Sequence, residues 1–594
     1  MDPAHFVREL RRRGVFRGAA FYVVAAWVTL QVSDLALPGL GLPESAIRFV
    51  WVGAFLGFPL ALFFSWRYEF TRGGIFRTPA SSGEAVDTRL HALDYALLAA
   101  LVAIAGAIAL GVIGQVRRTD VAVPHASLAP PPEGRISMAV LPLRNASGDP
   151  EQEYLSDGLT EELIVQLGRL HPERLGVIAR SSAMRYKNTD MSVTDIGREL
   201  GVAYVLEGSA MREGGRVRVT TELIQASDQT QLWAESYDRE LSGILELQRD
   251  VAQAVAKSLA VKLLPQEQAR LAAVGSVNAE AYDAYLKGSQ YWIRLGAADL
   301  DAAEKYFHLA LEKDPRFAPA YVGLTWVWVC RQQMGYVPPG EAGPKAKAAV
   351  SKALELDDTY FEAHLALADI LTWTDWNWAA AGREWERAIE LNPGYPDTRA
   401  YYSHYLLITG RPEEGLKEIE TAIGTDPFNV IFLAFHAVVL EYFERYDDAL
   451  VVTRKILEIM PDNPVGLSSQ WSAYEGKGMQ KEAFASAKAY YRNAYGDLDQ
   501  GGVLDRAYAA SGYAAAMNRA AELLVAQSRT KFVPPLDIAA LYLSAGDREQ
   551  ALAWLERGYE VRDPAMPYLG WPWYDPLRSD PRFKDLVRKM NLPE

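Results

Sequence analysis

From about Ala284 to Asp563 the apolar positions recur with a spacing of about 34 residues. Small residues fall in one phase at Ala381, Gly415, Ala449, Ala483 and Ala551, with Met517 standing in that phase between the last two, and Ala303 and Ala346 mark two earlier units stretched to 43 residues apart. Four and seven residues after a small position come further apolar residues, as Phe307 and Ala310 after Ala303, or Trp385 and Ala388 after Ala381. That is the stripe of one helix face. Glycines share a second phase at Gly410, Gly478, Gly512 and Gly546, and prolines close units at Pro315, Pro393, Pro427 and Pro461, the last three in phase. The pattern predicts about eight stacked helical hairpins. The small residue sits where the two helices of a hairpin cross, the glycine turns the chain at positive φ, and the proline ends the second helix.

Upstream the pattern changes twice. Gly18 to about Val32, Phe49 to Trp66 and Tyr95 to Gly114 are apolar, and the last runs some 20 residues without a charge, the length that crosses a hydrocarbon layer of about 30 Å. Residues 1–118 therefore read as a membrane anchor of three transmembrane helices. Arg8, Arg11, Arg12, Arg13 and Arg17 precede the first, and Arg67, Arg72, Arg77 and Arg89 lie between the second and third. Basic loops stay inside, so the N-terminus is expected in the cytoplasm and residues 119–594 outside it, in the periplasm of a bacterium with its anchor in the inner membrane. Arg117 and Arg118 run against that orientation. Residues 119–136, with Pro124, Pro130, Pro131 and Pro132, form an extended linker.

Residues 137–264 alternate at strand and helix periods. Strands are expected at Ile136–Leu143, Leu175–Ala179, Ala203–Ser209, Arg216–Leu223 and Thr230–Ser236, with helices at Asp157–Leu170, Val193–Leu200 and Leu241–Leu264. The order β-α-β-α-β-β-β-α implies a mixed sheet covered by helices. The fold class is thus multi-domain: N-terminal transmembrane helices, a small α/β domain, and an all-α solenoid over 278–594 whose tail, WPWYDPLRSDPRFKDLVRKM, caps the last repeat.

Charge and composition narrow the chemistry. Of the net charge of −14, the first 118 residues contribute +4, which leaves −18 on the remainder. An acidic body argues against nucleic acid as a partner. The single cysteine, Cys330, excludes an internal disulfide and a Cys-rich metal site. The eight histidines are scattered, and phosphate-loop, zinc-helix and nucleophile-elbow motifs are absent. Ser147-Gly148-Asp149-Pro150 with Glu151 and Glu153 reads as a turn into an acid-rich helix start rather than a cation loop. The expectation is a non-enzymatic chain without cofactor or metal. Trp326, Trp328, Trp373, Trp376, Trp378 and Trp385 read as inter-helix packing before they read as a binding platform.

Small–glycine–aromatic…alanine…proline over 34 residues resembles the tetratricopeptide repeat. The strings MAVLPLRNASGDPEQEYLSDGLTEELI, VIARSSAMRYKNTD, IGRELGVAYVLEGSAMREGGRVRVTTELI and LWAESYDREL are similar to the domain related to the amino-terminal part of TolB, and YVVAAWVTLQVSDLALPGLGLPE resembles the anchor that accompanies it. The resemblance implies a membrane-anchored chain whose repeat groove binds protein, with membrane lipid as a second contact and self-association left open. Relatives often carry an adenylate cyclase or winged-helix domain on the cytoplasmic side. Only 17 residues precede the first apolar segment here, so neither output is expected. A scaffold or adaptor is the leading reading, a receptor relaying a periplasmic signal the second, and an enzyme with a site in 137–264 the third. By repeat phase the groove positions are Trp373, His404, Glu441, Tyr442, Glu475 and Arg506. The Lys/Asn clamp that holds a partner's carboxylate in some relatives is replaced by Ala400, His404, Ala434 and Val438.

Overall fold

The computed structural model describes residues 22, 26–27, 68–71, 74–77, 135–170, 172–261 and 277–593. The chain divides into two compact units, Met1–Ser127 and Leu128–Glu594. In the first, Tyr22, Ala26 and Trp27 are helical, and β1 (Tyr68–Thr71) pairs antiparallel with β2 (Gly74–Arg77). Apart from Tyr22, Ala26 and Trp27, the three apolar segments lie outside the described residues, as do residues 119–134 of the proline-rich linker. Among the described residues no helix is long and apolar enough to cross a membrane.

The second unit begins with the α/β domain. Its order is β3 (Ile136–Val140), β4 (Arg144–Asn145), α1 (Glu153–Gly168), β5 (Leu175–Ile178), α2 (Val193–Leu200), β6 (Tyr204–Glu213), β7 (Arg216–Gln225), β8 (Thr230–Glu240) and α3 (Ile244–Ser258). The sheet runs β5-β3-β6-β7-β8, with β4 also on β6. β3 is parallel to β5 and β6, and β6-β7-β8 is an antiparallel meander, so the sheet is mixed as the alternation predicts. The meander strands outrun their predicted lengths, since register pairs continue to Glu213↔Arg216 at the Gly214 turn. α1 starts a turn earlier than expected, where Asp149 accepts from Glu151 N and opens the helical entry.

The solenoid is eight helical hairpins. They are α4/α5 (Ala279–Trp292, Ala297–Lys313), α6/α7 (Ala318–Gln333, Pro339–Leu356), α8/α9 (Phe361–Asp369, Trp378–Leu391), α10/α11 (Pro396–Ile408, Pro412–Thr425), α12/α13 (Val430–Tyr442, Tyr446–Ile459), α14/α15 (Pro464–Gly476, Gln480–Tyr495), α16 (Val503–Gln527, turned at Gly512) and α17/α18 (Pro535–Ser544, Arg548–Val561). α8 runs on into a single π turn, Ile370–Thr374. The alanines at the small positions and Met517 are buried to 2% exposure or less, and Gly415 is buried too. At Gly415 the reason is explicit: a Cβ would stand 2.5 Å from Leu407 Cδ1 and 2.7 Å from Ser403 O.

The turn phase holds φ of 77°, 69°, 80° and 79° at Gly410, Gly478, Gly512 and Gly546. Trp376 and Glu444 occupy the same phase at 56° and 55°. The hairpin geometry imposes the left-handed turn there on residues that do not favour it.

The α/β domain and the solenoid share one core. Tyr282, Ala284 and Leu286 of α4 pack with Leu155, Leu159, Leu163 of α1 and Leu247, Val251 of α3. Asp283 accepts from Tyr154 Oη and pairs with Arg212. A second seam joins the turn Arg180–Ala183 to the α11–α12 corner. Ala179 N donates to Thr425 O (2.9 Å), Ser182 N donates to Asp426 Oδ1 (2.8 Å), and the Arg185 guanidinium lies 4.0 Å over the Phe428 ring.

The tail behaves only partly as the sequence suggests. α19 (Pro581–Lys589) packs Phe583, Leu586 and Val587 against α18, as a capping helix does. The segment before it forms two 3-10 turns, Met566–Gly570 and Pro572–Leu577, which turn back onto the first helices of the middle hairpins.

Candidate functional site

The first helices of the hairpins carry the predicted groove residues, and the structure separates these into three groups. Trp373 is 5% exposed and His404 2%. Both meet the tail: Trp373 Nε1 donates to Tyr568 Oη (3.0 Å), and Tyr568 Oη lies 2.9 Å from His404 Nδ1. The Trp571 ring is tilted by 54° against Tyr568, with centroids 4.5 Å apart. The groove at these two positions is therefore filled by the chain's own C-terminal segment. Burial pushes the His404 imidazole down to about 4, so it is neutral at physiological pH.

Glu441, Tyr442 and Glu475 come together. They line a recess of about 240 Å3 with Tyr446, Ser472 and Ser544. Trp571, Pro572 and Trp573 of the tail form its other wall. Glu475 Oε2 accepts from Ser544 Oγ (3.0 Å). Glu441 Oε1 is buried without a hydrogen-bond partner. Burial raises the Glu441 carboxyl to about 8 and the Glu475 carboxyl to about 7, so each exchanges a proton near neutrality. Arg506 joins neither group: it is exposed and donates to Gly501 O.

Sequence reasoning missed Tyr568, Trp571 and Trp573 as concave-face residues. The WPW run with its two flanking aromatics was the available signal, but a periodic pattern does not say which distant helices a tail meets. The six tryptophans of the middle hairpins do pack between elements. Trp385 is fully buried, Trp376 is tilted on Tyr559 at 5.6 Å, and Trp378 Nε1 donates to Met590 O. Among the described residues no group of three His, Cys, Asp or Glu is placed to hold a metal ion.

These burials fix how stability follows pH. Asp369, Glu441 and Asp563 are held to about 7, 8 and 6 by burial, above their unfolded values near 4. Each contributes stability that is complete below the unfolded value and is lost as pH rises through the folded one. His404 and His436, both lowered to about 4, act the opposite way, but only below the unfolded histidine value of about 6.5. Between about pH 6.5 and pH 8.5 the carboxyls act together with His364, whose imidazole is held up, against the effect of burial, by its hydrogen bond to Glu384 and so loses stability in the same direction. The melting temperature measured by calorimetry is expected to fall by about 2 °C over that interval, the scale of a loss of roughly 2 kcal/mol in a unit of this length. A flat or rising profile contradicts the burial of these groups.

Comparison with known proteins matches the parts separately. The family model for the second domain of HilA/YgeH-like transcriptional regulators matches residues 134–254, the α/β domain. A protein of Rhizobium meliloti (strain 1021) named "Putative adenylate cyclase 3" is 36% identical over 255 residues, 42% of this chain and 43% of that protein. The chain thus spans less than half the length of this relative. Among solved structures, the TPR protein YrrB, described as having an unusual peptide-binding site, is similar at 16% identity over 32% of this chain and 91% of its own, with a TM-score of 0.23. PilF of Pseudomonas aeruginosa is similar at 16% identity over 45% and 98%, with a TM-score of 0.26.

Proposed function

We propose that the chain is a non-enzymatic, membrane-anchored scaffold, and that its recess at Glu441, Tyr442 and Glu475 takes a protruding segment of a protein partner. The observation that carries this reading is the state of the concave face. Trp373 and His404 are covered by the tail, whereas the adjoining recess stays open and presents two carboxylates beside Trp571 and Trp573. Aromatic walls with carboxylates suit an apolar segment that carries a Lys or Arg. The three apolar segments of residues 1–118 and their arginine pattern support a bacterial inner-membrane anchor with the body in the periplasm. A topology reporter after Glu594 that is active only in the cytoplasm speaks against that placement.

The binding test is photocrosslinking in cells from Tyr442, with Val451 as the control. Val451 lies on the second helix of the same hairpin and is 51% exposed. Partner capture is expected from Tyr442 and not from Val451. Glu475→Gln keeps the shape and removes the charge, and it is expected to weaken the partner about tenfold, the order of one lost charged contact. Equal capture from both positions, or affinity unchanged by Glu475→Gln, removes the support for this recess.

A further inference from the structure

A second cavity lies elsewhere, between α1 and the first helices of the first four hairpins. Its volume is about 360 Å3, within the range of small-molecule sites. One wall is α1 and the start of the Arg180 turn. The other is the concave face from Tyr285 to Tyr401. Two kinds of side chain dominate it. The aromatic side includes Trp326, whose ring centroid is 6.3 Å from that of Trp292 and 6.4 Å from that of Tyr401. The acidic side includes Glu162, Glu362 and Asp397.

The cations nearby are already engaged. Arg180 pairs with Glu161 (3.2 Å), Arg399 with Glu418 (2.6 Å), and the Arg169 guanidinium lies 4.8 Å over Phe361. Glu362 accepts from Tyr360 Oη (2.9 Å), while Glu162 and Asp397 have no ion-pair partner among the described residues. A third feature is independent of charge. Asn392 lines the cavity at 1% exposure, and neither its Nδ2 nor its Oδ1 has a hydrogen-bond partner. A buried amide left unpaired on both atoms costs free energy unless something else satisfies it.

We propose that this cavity binds an organic ammonium group, with Glu162, Glu362 and Asp397 supplying the countercharge, Trp326 and Tyr401 the ring faces, and Asn392 a hydrogen bond. Aromatic faces and carboxylates together are the chemistry that recognises an ammonium ion, and both terms strengthen out of water. Burial and mutual repulsion raise the Glu162 carboxyl to about 8, and burial raises Glu362 and Asp397 to about 7. A bound cation lets all three ionise. Because α1 forms one wall and the hairpins the other, the occupant clasps the α/β domain to the solenoid.

The ammonium can come from a free amine or from a lysine side chain of a peptide, and the test separates them. The full chain in detergent is titrated calorimetrically with putrescine, spermidine, tetramethylammonium and a trilysine peptide, in about 0.3 M salt to suppress binding to the acidic surface as a whole. Saturable one-site binding in at least one arm is expected. Amines without the peptide identify a free amine, and the peptide without the amines identifies a lysine side chain. Glu162→Gln and Glu362→Gln, each near-isosteric, are expected to weaken binding tenfold or more, while Glu413→Gln, at an exposed position of α11 outside both sites, leaves it unchanged. If either carboxyl variant fails to fold, the other and Trp326→Leu carry the test. No saturable binding in any arm, or binding indifferent to Glu162, Glu362 and Trp326, overturns the proposal.

Discussion

Gly394→Val pries the α/β domain off the solenoid and exposes Cys330. A Cβ on Gly394 would stand 2.0 Å from Gly168 O and 2.9 Å from Gly168 C, so the obstacle is backbone and not a side chain that can swing away. Gly168 ends α1, and α1 is the wall that closes the cavity over Cys330. The added side chain must push α1 outward against the seam formed by Ala179–Thr425 and Ser182–Asp426. Overpacking costs about 1–3 kcal/mol, and more where the obstacle is backbone that cannot swing away. The readout is direct, because Cys330 is the chain's single cysteine and is buried, its thiol pushed up to about 12. Opening the cavity both admits reagent and lowers that value, so thiol labelling is expected to speed up by roughly tenfold or more. Gly424→Ala is the control: a Cβ there meets nothing within 4 Å, and labelling is expected to stay at the wild-type rate. Unchanged labelling in Gly394→Val contradicts the docking of α1.

Trp385→Ala is expected to cost about 4 kcal/mol in urea unfolding, the usual range for removing a fully buried large aromatic. The ring has 0% exposure, meets Trp373 edge-on at 6.2 Å and Tyr402 at 6.3 Å, and donates from Nε1 to Thr372 Oγ1 (3.1 Å). The damage spreads along a chain of contacts. Trp373 loses its support, and with it the bond that holds Tyr568 in the groove. Trp328 provides the contrast. It is half-buried, with Lys345 3.9 Å and Arg331 4.4 Å from its ring, and Trp328→Ala is expected to cost about 1 kcal/mol. Equal losses in the two variants would contradict a tryptophan role set by burial.

The eight hairpins were legible because their physics is local and repeats. Crossing points demand small residues and turns favour glycine, so the register could be counted. Where the demand was met by another residue, as by Trp376 and Glu444 at positive φ, the pattern gave no sign. The mixed sheet was legible from the alternation of strand and helix periods. The groove positions Trp373, His404, Glu441, Tyr442 and Glu475 follow from phase alone. What covers them does not, since Tyr568 bonds residues 195 and 164 positions earlier. The cavity under α1 was hidden for the same reason. Glu162, Glu362 and Asp397 sit on three elements that no short spacing connects.

The central claim is that the chain fills part of its own concave face and leaves the Glu441–Glu475 recess open. Hydroxyl-radical footprinting of the full chain measures this most directly, because it reports side-chain exposure residue by residue. The account predicts that Trp373 labels nearly as slowly as Trp385 and that the half-buried Tyr568 labels well below Tyr336, which is 47% exposed and labels fast. Labelling of Trp373 and Tyr568 at the Tyr336 rate would mean that the tail stands away from the groove, and would contradict the account.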